Sequence, residues 1–474
     1  ETTPRVELLA HTPDPLSLIY AAFRQCYHAG EVADMWPSLT CGNIPREKQA
    51  EFVAKIMESG HASPIEHVSF TFAISGVSRA LTHQLVRHRI ASYSQQSQRY
   101  VTLSADGYTL PSQLSAEDKA RAEELIGQAF ALYEEMSQLK GEFAGRPKPE
   151  HYLYGIPVED ARYILPLAVK TNITVATTGD KLLDWFRMMN RPLDKDMFAD
   201  IHDALLALLP ETLGKWLDSQ TYSYEDTGML NQFYKAELEA ITPQEPVVLL
   251  RTFDKPELKA GLGALTSTKA EAPSMVLDSW GTEADTKAKG VINRVMGYGH
   301  TSIAEQCRTT FGMMFSLVTY HQQERHRLPN TYREPWLNIL LEPERPPVIP
   351  QTVIDGGFEG PYRRLVQDMQ RFQQRIAGHY KGGLWRYFLL NCQQVKIITS
   401  TNARMDCGML AERICNNAQW EINRIAVAKL EKLRKLSDIL YKTAVPSCVY
   451  GACKEGKMTC GRAAEMRAKY RIEE

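Results

Sequence analysis

The chain has 474 residues, 44% hydrophobic and 23% charged, the balance of a globular protein with ample core, which excludes a disordered chain. Its 55 basic and 56 acidic side chains leave a formal charge of −1, so bulk electrostatics draw it to neither nucleic acid nor a membrane surface, and no apolar run approaches a bilayer span. Nine scattered cysteines exclude a disulfide scaffold, and nothing from Glu1 to His11 reads as a signal segment, so a reducing cytoplasm is the expected setting.

The length exceeds one ordinary domain, and the sequence repeats itself. Val6-Glu-Leu-Leu returns as Val247-Val-Leu-Leu, Gly60-His-Ala-Ser-Pro-Ile-Glu66 as Gly299-His-Thr-Ser-Ile-Ala-Glu305, and Arg87-His88-Arg89 as Arg325-His326-Arg327, in one order and at nearly constant spacing. Two tandem domains are expected, 1–243 and 244–474, with the Pro-containing stretch Ile241 to Pro246 as the seam.

After each Gly-His segment the alternation predicts a strand, with Val68, Phe70, Phe72 and Ile74 on one face and then Phe311, Met313, Phe315 and Leu317. Leu81, Leu85 and Val86 suit a helix that ends on the first Arg-His-Arg. Ser115 with Asp118 forms a capping-box start for a long amphipathic helix reaching about Lys140. In the second half Leu410, Ile414, Trp420 and Ile422 predict one helix from Met405 to about Leu440, with the charge run Lys429 to Lys435 as its solvated face. Trp420, Met313 and Met314 read as core. Cys448, Cys453 and Cys460 could ligate a metal, but without a Cys-x-x-Cys pair reduced structural thiols are the simpler reading.

The densest polar cluster runs from Gln84 to Tyr100 and holds Arg87, His88, Arg89, Gln95, Gln96, Ser97, Gln98 and Arg99. Guanidinium forks make bidentate contacts to phosphate and carbonyl edges, so the cluster suits a planar anionic or polar ligand. Arg-His-Arg alone reads as readily as a solvated helix end. With the seven residues Ile90 to Gln96 leading to Ser97, the segment resembles the signature of flavin-dependent thymidylate synthases. The resemblance extends to Gly60–His67, to Glu159-Asp-Ala-Arg162-Tyr-Ile-Leu-Pro166, and to Asn402-Ala-Arg404 leading to Arg413 and Ala418-Gln-Trp-Glu-Ile422, and it covers most of the chain as two imperfect copies.

That resemblance implies an α+β fold, a central sheet with long helices, present as two tandem copies forming a pseudo-dimer. It implies FAD held by Arg87, His88 and Arg89, by His61, Ser63 and Glu66 of the Gly-His segment, by Cys26 from the first helix, by Gln95, and by Asn402 and Arg404. The dUMP substrate falls to Gln84, Arg87, Gln95, Gln96, Ser97, Gln98, Arg99, Arg162 and Arg413, with Arg87 and Arg413 as the catalytic pair at the uracil. NADPH and methylenetetrahydrofolate are the implied co-substrates; no metal, nucleic acid or membrane is implied. Two other readings stay open: a flavin-dependent C5 methylase or hydroxymethylase of another pyrimidine nucleotide, and a non-catalytic flavin or nucleotide sensor.

The copies depart from the family pattern in opposite places. Where Asn-Ala-Arg is expected the first half has Thr178-Gly179-Asp180, an aspartate expected to repel a pyrophosphate, and Met189 stands where a uracil-binding arginine belongs. In the second half Pro335 occupies the serine position and the distance from Arg-His-Arg to the next matched arginine, Arg386, is shorter, as if the phosphate loop were lost. Family members place active sites between the subunits of a homotetramer. The expectation is therefore composite sites built from both halves, in a homodimer that forms a pseudo-tetramer.

Overall fold

The computed structural model describes residues 4–138, 156–222, 231–266 and 268–472. It contains two antiparallel sheets that repeat one topology. The first comprises β1 (Arg5–His11), β2 (Ser69–Ser78), β3 (Ser92–Gln95) and β4 (Lys170–Thr178), in the order β1-β2-β4-β3. The second comprises β5 (Val247–Thr252), β6 (Arg308–Ser316), β7 (Asn330–Arg333) and β8 (Gln394–Asn402), in the order β5-β6-β8-β7. Even the irregularities recur, since the pairing of β1 shifts register between Leu8 and Ala10 and that of β5 between Leu249 and Arg251. The glycines of the two Gly-His segments, Gly60 and Gly299, both take left-handed backbone, with φ of 89° and 84°, which a side chain would strain.

The predicted strand faces are buried: Val68, Phe70, Phe72 and Ile74 in one sheet, and Phe311, Met313, Phe315 and Leu317 in the other. A serine ends each central strand and caps the next helix. Ser78 Oγ accepts from the Leu81 amide at 3.1 Å and Ser316 Oγ from that of Thr319 at 3.2 Å. The capping box at Ser115 also forms, with Oγ accepting from the Asp118 amide at 3.1 Å. Its helix spans Ala116–Gln138, and the predicted reach to Lys140 lies outside the described residues. Among the described residues no helix is long and apolar enough to cross a membrane.

The compact units do not coincide with the sequence halves. One gathers Glu1–Tyr133, Ile164–Asp226 and Pro361–Asn391; the other gathers Glu134–Tyr163, Thr227–Gly360 and Cys392–Glu474. Each sheet thus receives a segment from the opposite copy, and the buried polar contacts show why. In the first unit Arg386, 3% exposed, pairs with the fully buried Asp194 at 2.7 Å, and the Tyr387 hydroxyl bonds Ser78. Asp118 accepts from Arg375 Nε and from the Tyr380 hydroxyl, both at 2.7 Å. In the second unit the Tyr163 hydroxyl donates to Glu421 at 2.7 Å. A tyrosine follows the matched arginine in each copy and seals the end of the central strand that the other copy supplies.

Two expectations need correction. The helix expected from Met405 to Leu440 is two helices, Ala403–Arg413 and Trp420–Leu436. Gln419 breaks it by capping the second helix, its Oε1 accepting from the Glu421 and Ile422 amides at 3.0 and 3.2 Å, while Asn423 Nδ2 donates to the Arg413 and Cys415 carbonyls. The apolar period continues across the break, with Leu410 and Ile414 buried before it and Ile422 and Ile425 after it. Nor is the Lys429–Lys435 run uniformly solvated, since Lys429 is 3% exposed, with Nζ 2.6 Å from Asp406 and 5.0 Å from the Phe311 ring centroid.

One heavily bonded buried carboxylate is that of Glu421, which is inaccessible to solvent. It accepts from the Ser316 amide at 2.8 Å, Ser316 Oγ at 2.5 Å, Thr319 Oγ1 at 2.6 Å and the Tyr163 hydroxyl. Replacing it strands these donors in a dry interior, so Glu421→Ala should lower unfolding free energy by about 3–5 kcal/mol, with partial recovery in Glu421→Gln, read from urea midpoints.

Candidate functional site

In the first unit the short helix Arg79–Leu85 launches from the end of β2 and delivers the Arg-His-Arg turn. Arg87 and Arg89 are exposed there, and His88 tucks back with Nε2 3.4 Å from Met188 Sδ. Burial, then the charges of Arg87 and Arg191, hold the His88 ring at a pKa of about 3, so it is neutral. The turn is pinned by Tyr93, whose hydroxyl donates to the Leu85 and His88 carbonyls at 3.1 and 2.6 Å. Sequence reasoning missed Tyr93; its signal was an aromatic on a short strand inside an otherwise polar run.

The remaining predicted nucleotide ligands divide. Gln84 is buried and accepts from Arg87 Nη1 at 3.4 Å, and Gln95 Nε2 donates to Thr82 and Thr171 hydroxyls at 2.9 and 3.3 Å. Gln96 uses its carbonyl to accept from Arg79 Nη2 at 2.6 Å. Ser97 closes a tight turn, its Oγ accepting from the Arg99 amide at 3.2 Å and its carbonyl from that of Val101 at 3.1 Å. Gln98 is 2% exposed and accepts from Asn391 Nδ2, while the Arg99 guanidinium lies 5.4 Å from the Tyr100 ring centroid. Cys26, His61, Ser63 and Glu66 are exposed in this unit. Arg162 is buried in the second unit, with Nε donating to the Glu159 carbonyl at 3.1 Å.

The divergent ends differ in space as well as in charge. In the second unit Asn402 caps the Ala403–Arg413 helix, Oδ1 accepting from the Met405 amide at 2.9 Å, and Arg404 stands exposed in the first turn, 2.6 Å from Glu305. A cavity of about 570 Å³ opens beside them, bordered by His326, Leu328 and Met409. In the first unit Gly179 stands where the second has Ala403, and a Cβ there would meet the Ile65 carbonyl at 2.7 Å and Val68 Cγ2 at 2.8 Å. Asp180 does not present a bare negative charge as expected, because Lys181 pairs with it at 2.8 Å and the Thr178 hydroxyl donates to it at 2.5 Å.

The lost loop of the second copy has a physical replacement. Glu334 pairs with β8 through the Lys396 carbonyl as Gln96 pairs with β4 through that of Asn172, so the two positions correspond. Glu334 is fully buried; it accepts from the Lys396 amide at 2.7 Å and Asn338 Nδ2 at 2.9 Å, and it pairs with Arg345. Its charge is balanced by Arg345, as that of Asp180 is by Lys181. His326 is retained for another contact: its Nε2 accepts from Arg413 Nε at 2.8 Å, which places the proton of the neutral ring on Nδ1. Arg413 Nη2 also reaches the Gln322 carbonyl at 3.4 Å. The first copy has buried Met189 where that arginine is expected.

The profile of the family described as "Thymidylate synthase complementing protein" matches residues 7–203 and, a second time, 249–437. A flavin-dependent thymidylate synthase of Nitratidesulfovibrio vulgaris is 56% identical over 190 residues, which cover 39% of this chain and 74% of that protein. A protein of the same name from Geobacter sulfurreducens is 41% identical over 184 residues, covering 38% of this chain and 72% of its own length. Among solved structures, a flavin dependent thymidylate synthase from Helicobacter pylori, complexed with FAD and dUMP, aligns with a TM-score of 0.32 and 20% identity over 46% of this chain and 99% of that one.

Burial, then the charges of Arg413 and Arg325, depress the His326 pKa from 6.5 to about 3. A base depressed in the folded state gives stability that is complete above the unfolded pKa near 6.5 and is lost as pH falls towards about 3. The His326 imidazole nitrogens should therefore show a neutral ring at pH 5 by nitrogen-15 NMR, and His326→Gln should flatten part of the acid side of the stability curve. Titration of this ring near pH 6.5 would contradict the Arg413 contact.

Proposed function

Because the chain belongs to the thymidylate synthase complementing protein family, we propose that it is a flavin-dependent thymidylate synthase that methylates dUMP to dTMP, with methylenetetrahydrofolate as one-carbon donor and NADPH as reductant. The observation that carries this reading is the open cavity at the Asn402-capped helix start, with Arg404 at its edge. A helix N-terminus with an exposed guanidinium suits the pyrophosphate of a dinucleotide, and the apolar border of Leu328 and Met409 suits a planar ring. These residues fit FAD, and Asn402 and Arg404 would hold it. When bound, the flavin supplies the hydride that completes the methyl group.

The nucleotide half of the work falls to the first copy. Arg99 flanks the Ser97 turn, and the exposed Arg87 and Arg89 belong to the same polar run, a residue set that suits a phosphate monoester. C5 of uracil is a poor nucleophile unless negative charge on the ring oxygen is stabilised as it develops; Arg87 and Arg413 are the fixed charges assigned to it, and no protein nucleophile is required. The nucleotide turn of the first copy and the flavin end of the second then serve one reaction, so that each chain supplies one working set. The complementary retention of residues favours this over a sensor that had lost catalysis.

Purified protein should carry flavin whose visible spectrum shifts on adding dUMP, with NADPH oxidation that depends on dUMP and the folate. Flavin should saturate at one per chain; two per chain would overturn the division of labour. Arg404→Ala should weaken flavin retention about tenfold or more, as loss of a charge-assisted contact implies, and unchanged yellow colour would remove its role. Arg413→Ala should lower dTMP formation by about 10²–10³-fold while flavin stays bound; full activity would refute its assignment.

A further inference from the structure

The Ala403–Arg413 helix carries both working ends of the second unit, with Asn402 and Arg404 at its start and Arg413 as its last residue. Between those ends Arg404, Met405, Gly408, Met409 and Glu412 recur at one-turn spacing and border the cavity of about 570 Å³, so the cavity lies along one face of the helix. These positions span 412 − 404 = 8 residues, about 12 Å of helix. A Cβ at Gly408 would meet nothing within 4 Å, so the middle of this face is open. A ligand seated at Arg404 is led along the helix towards Arg413.

His326 joins the cavity to that arginine. It borders the cavity, and its Nε2 accepts from Arg413 Nε at 2.8 Å. Asn423 Nδ2 fixes the Arg413 backbone through its carbonyl at 3.0 Å, while His326 and the Gln322 carbonyl, at 3.4 Å from Nη2, take hold of the guanidinium. Because Nε2 is the acceptor, the ring proton sits on Nδ1, and among the described residues that Nδ1–H has no hydrogen-bond partner. The ring is half-buried, and a donor on a cavity wall is satisfied by an acceptor inside the cavity. The first copy has no such arrangement, since His88 Nε2 lies 3.4 Å from Met188 Sδ and Met189 stands where the arginine would be.

We propose, resting on the flavin reading above, that His326 is a positioning residue that ties occupancy of the cavity to the direction of Arg413, its Nδ1–H donating to the bound ligand while Nε2 holds the guanidinium. Donation through Nδ1–H makes Nε2 a better acceptor, because hydrogen bonds in a chain polarise one another. A second anchor also stops the imidazole from turning away. Since the ring is neutral, Arg413 keeps its full charge for the nucleotide. The coupling is reciprocal: a nucleotide that engages Arg413 tightens the cavity ligand by the same factor by which that ligand tightens the nucleotide. The second Arg-His-Arg thus has a use of its own, although the turn beyond it has diverged.

Flavin-free protein labelled with nitrogen-15 in histidine and arginine, titrated with FAD in the absence of folate and NADPH, tests this directly. The His326 Nδ1–H and Arg413 Nε–H signals should both move and saturate together. His326→Phe keeps a planar ring and neither hydrogen bond; it should still bind FAD within about tenfold of the original affinity, by flavin fluorescence, as loss of one hydrogen bond implies. In that variant the Arg413 Nε–H signal should no longer respond to FAD. Binding of dUMP to the flavin-loaded variant should weaken about tenfold or more, as loss of a bond to a charged group implies. His326→Gln should restore it to within about threefold, because its amide can accept from Arg413 and donate to the cavity. A merely structural histidine would lower stability without separating the Arg413 response from FAD binding. FAD that binds with both signals unmoved, or an Arg413 response that persists in His326→Phe, would overturn the proposal and leave the flavin reading standing. Absence of FAD binding to the unsubstituted protein would overturn both. If His326→Phe does not fold, the wild-type titration and His326→Gln still decide.

Discussion

The carboxylate of Glu421 organises the second copy's site before any ligand arrives. By accepting from Ser316 and Thr319 it fixes where β6 ends and the helix towards His326 begins, and by lying in the first turn of the Trp420–Leu436 helix it fixes the corner that follows Arg413. His326 and Arg413 reach each other at 2.8 Å because their two supporting elements are tied at the same buried point. The Tyr163 hydroxyl completes the set, so a segment of the first sequence copy stabilises the second copy's sheet. Carboxylates this deeply buried are tolerated only when their oxygens are saturated with donors, and this one is.

The reciprocal segments give the duplication a physical sense. An isolated copy would leave the end of its central strand to a tyrosine it does not itself provide; Tyr387 comes to Ser78 and Tyr163 to Glu421. Two copies in one chain supply each other. The copies differ at polar positions such as Asp180 and Arg404 while their sheets keep one topology. A Cβ at Gly179 would run into the Gly-His turn, and Glu334 stands as a buried carboxylate paired with Arg345. Both changes make a local return to the other copy's chemistry costly, because a Cβ at 179 has no room and the Glu334 position is no longer wet.

The neutral histidines belong to the same logic. Each Arg-His-Arg turn places an imidazole among guanidinium groups, and burial with those charges keeps both His88 and His326 unprotonated near pH 7. A neutral ring can accept a hydrogen bond from Arg413, as His326 does, and hold a guanidinium without neutralising its charge. The arginine thereby keeps the positive charge that an anionic ligand or a developing oxyanion would meet.

Local pattern in the sequence was enough for much of this. The repeat, the alternating strands, the serine-initiated helix at Ser115 and the complementary losses at 178–180 and 335 were legible because side-chain period, capping chemistry and charge type act over a few residues. What those windows could not contain depended on residues far apart in the chain. The break at Gln419 was hidden because the apolar period ran through it, and the burial of Lys429 because Asp406 and Phe311 lie elsewhere in the sequence. Lys181 neutralises Asp180 one residue away, yet only the side-chain geometry shows the pair; Tyr93 pins the first turn through carbonyls that sequence does not display. By itself the sequence determined which residues each copy kept and the elements that carry them. The tertiary structure decided which of those side chains are spent on their own scaffold, because burial and hydrogen-bond saturation are settled only when distant segments, some from the opposite copy, close around them.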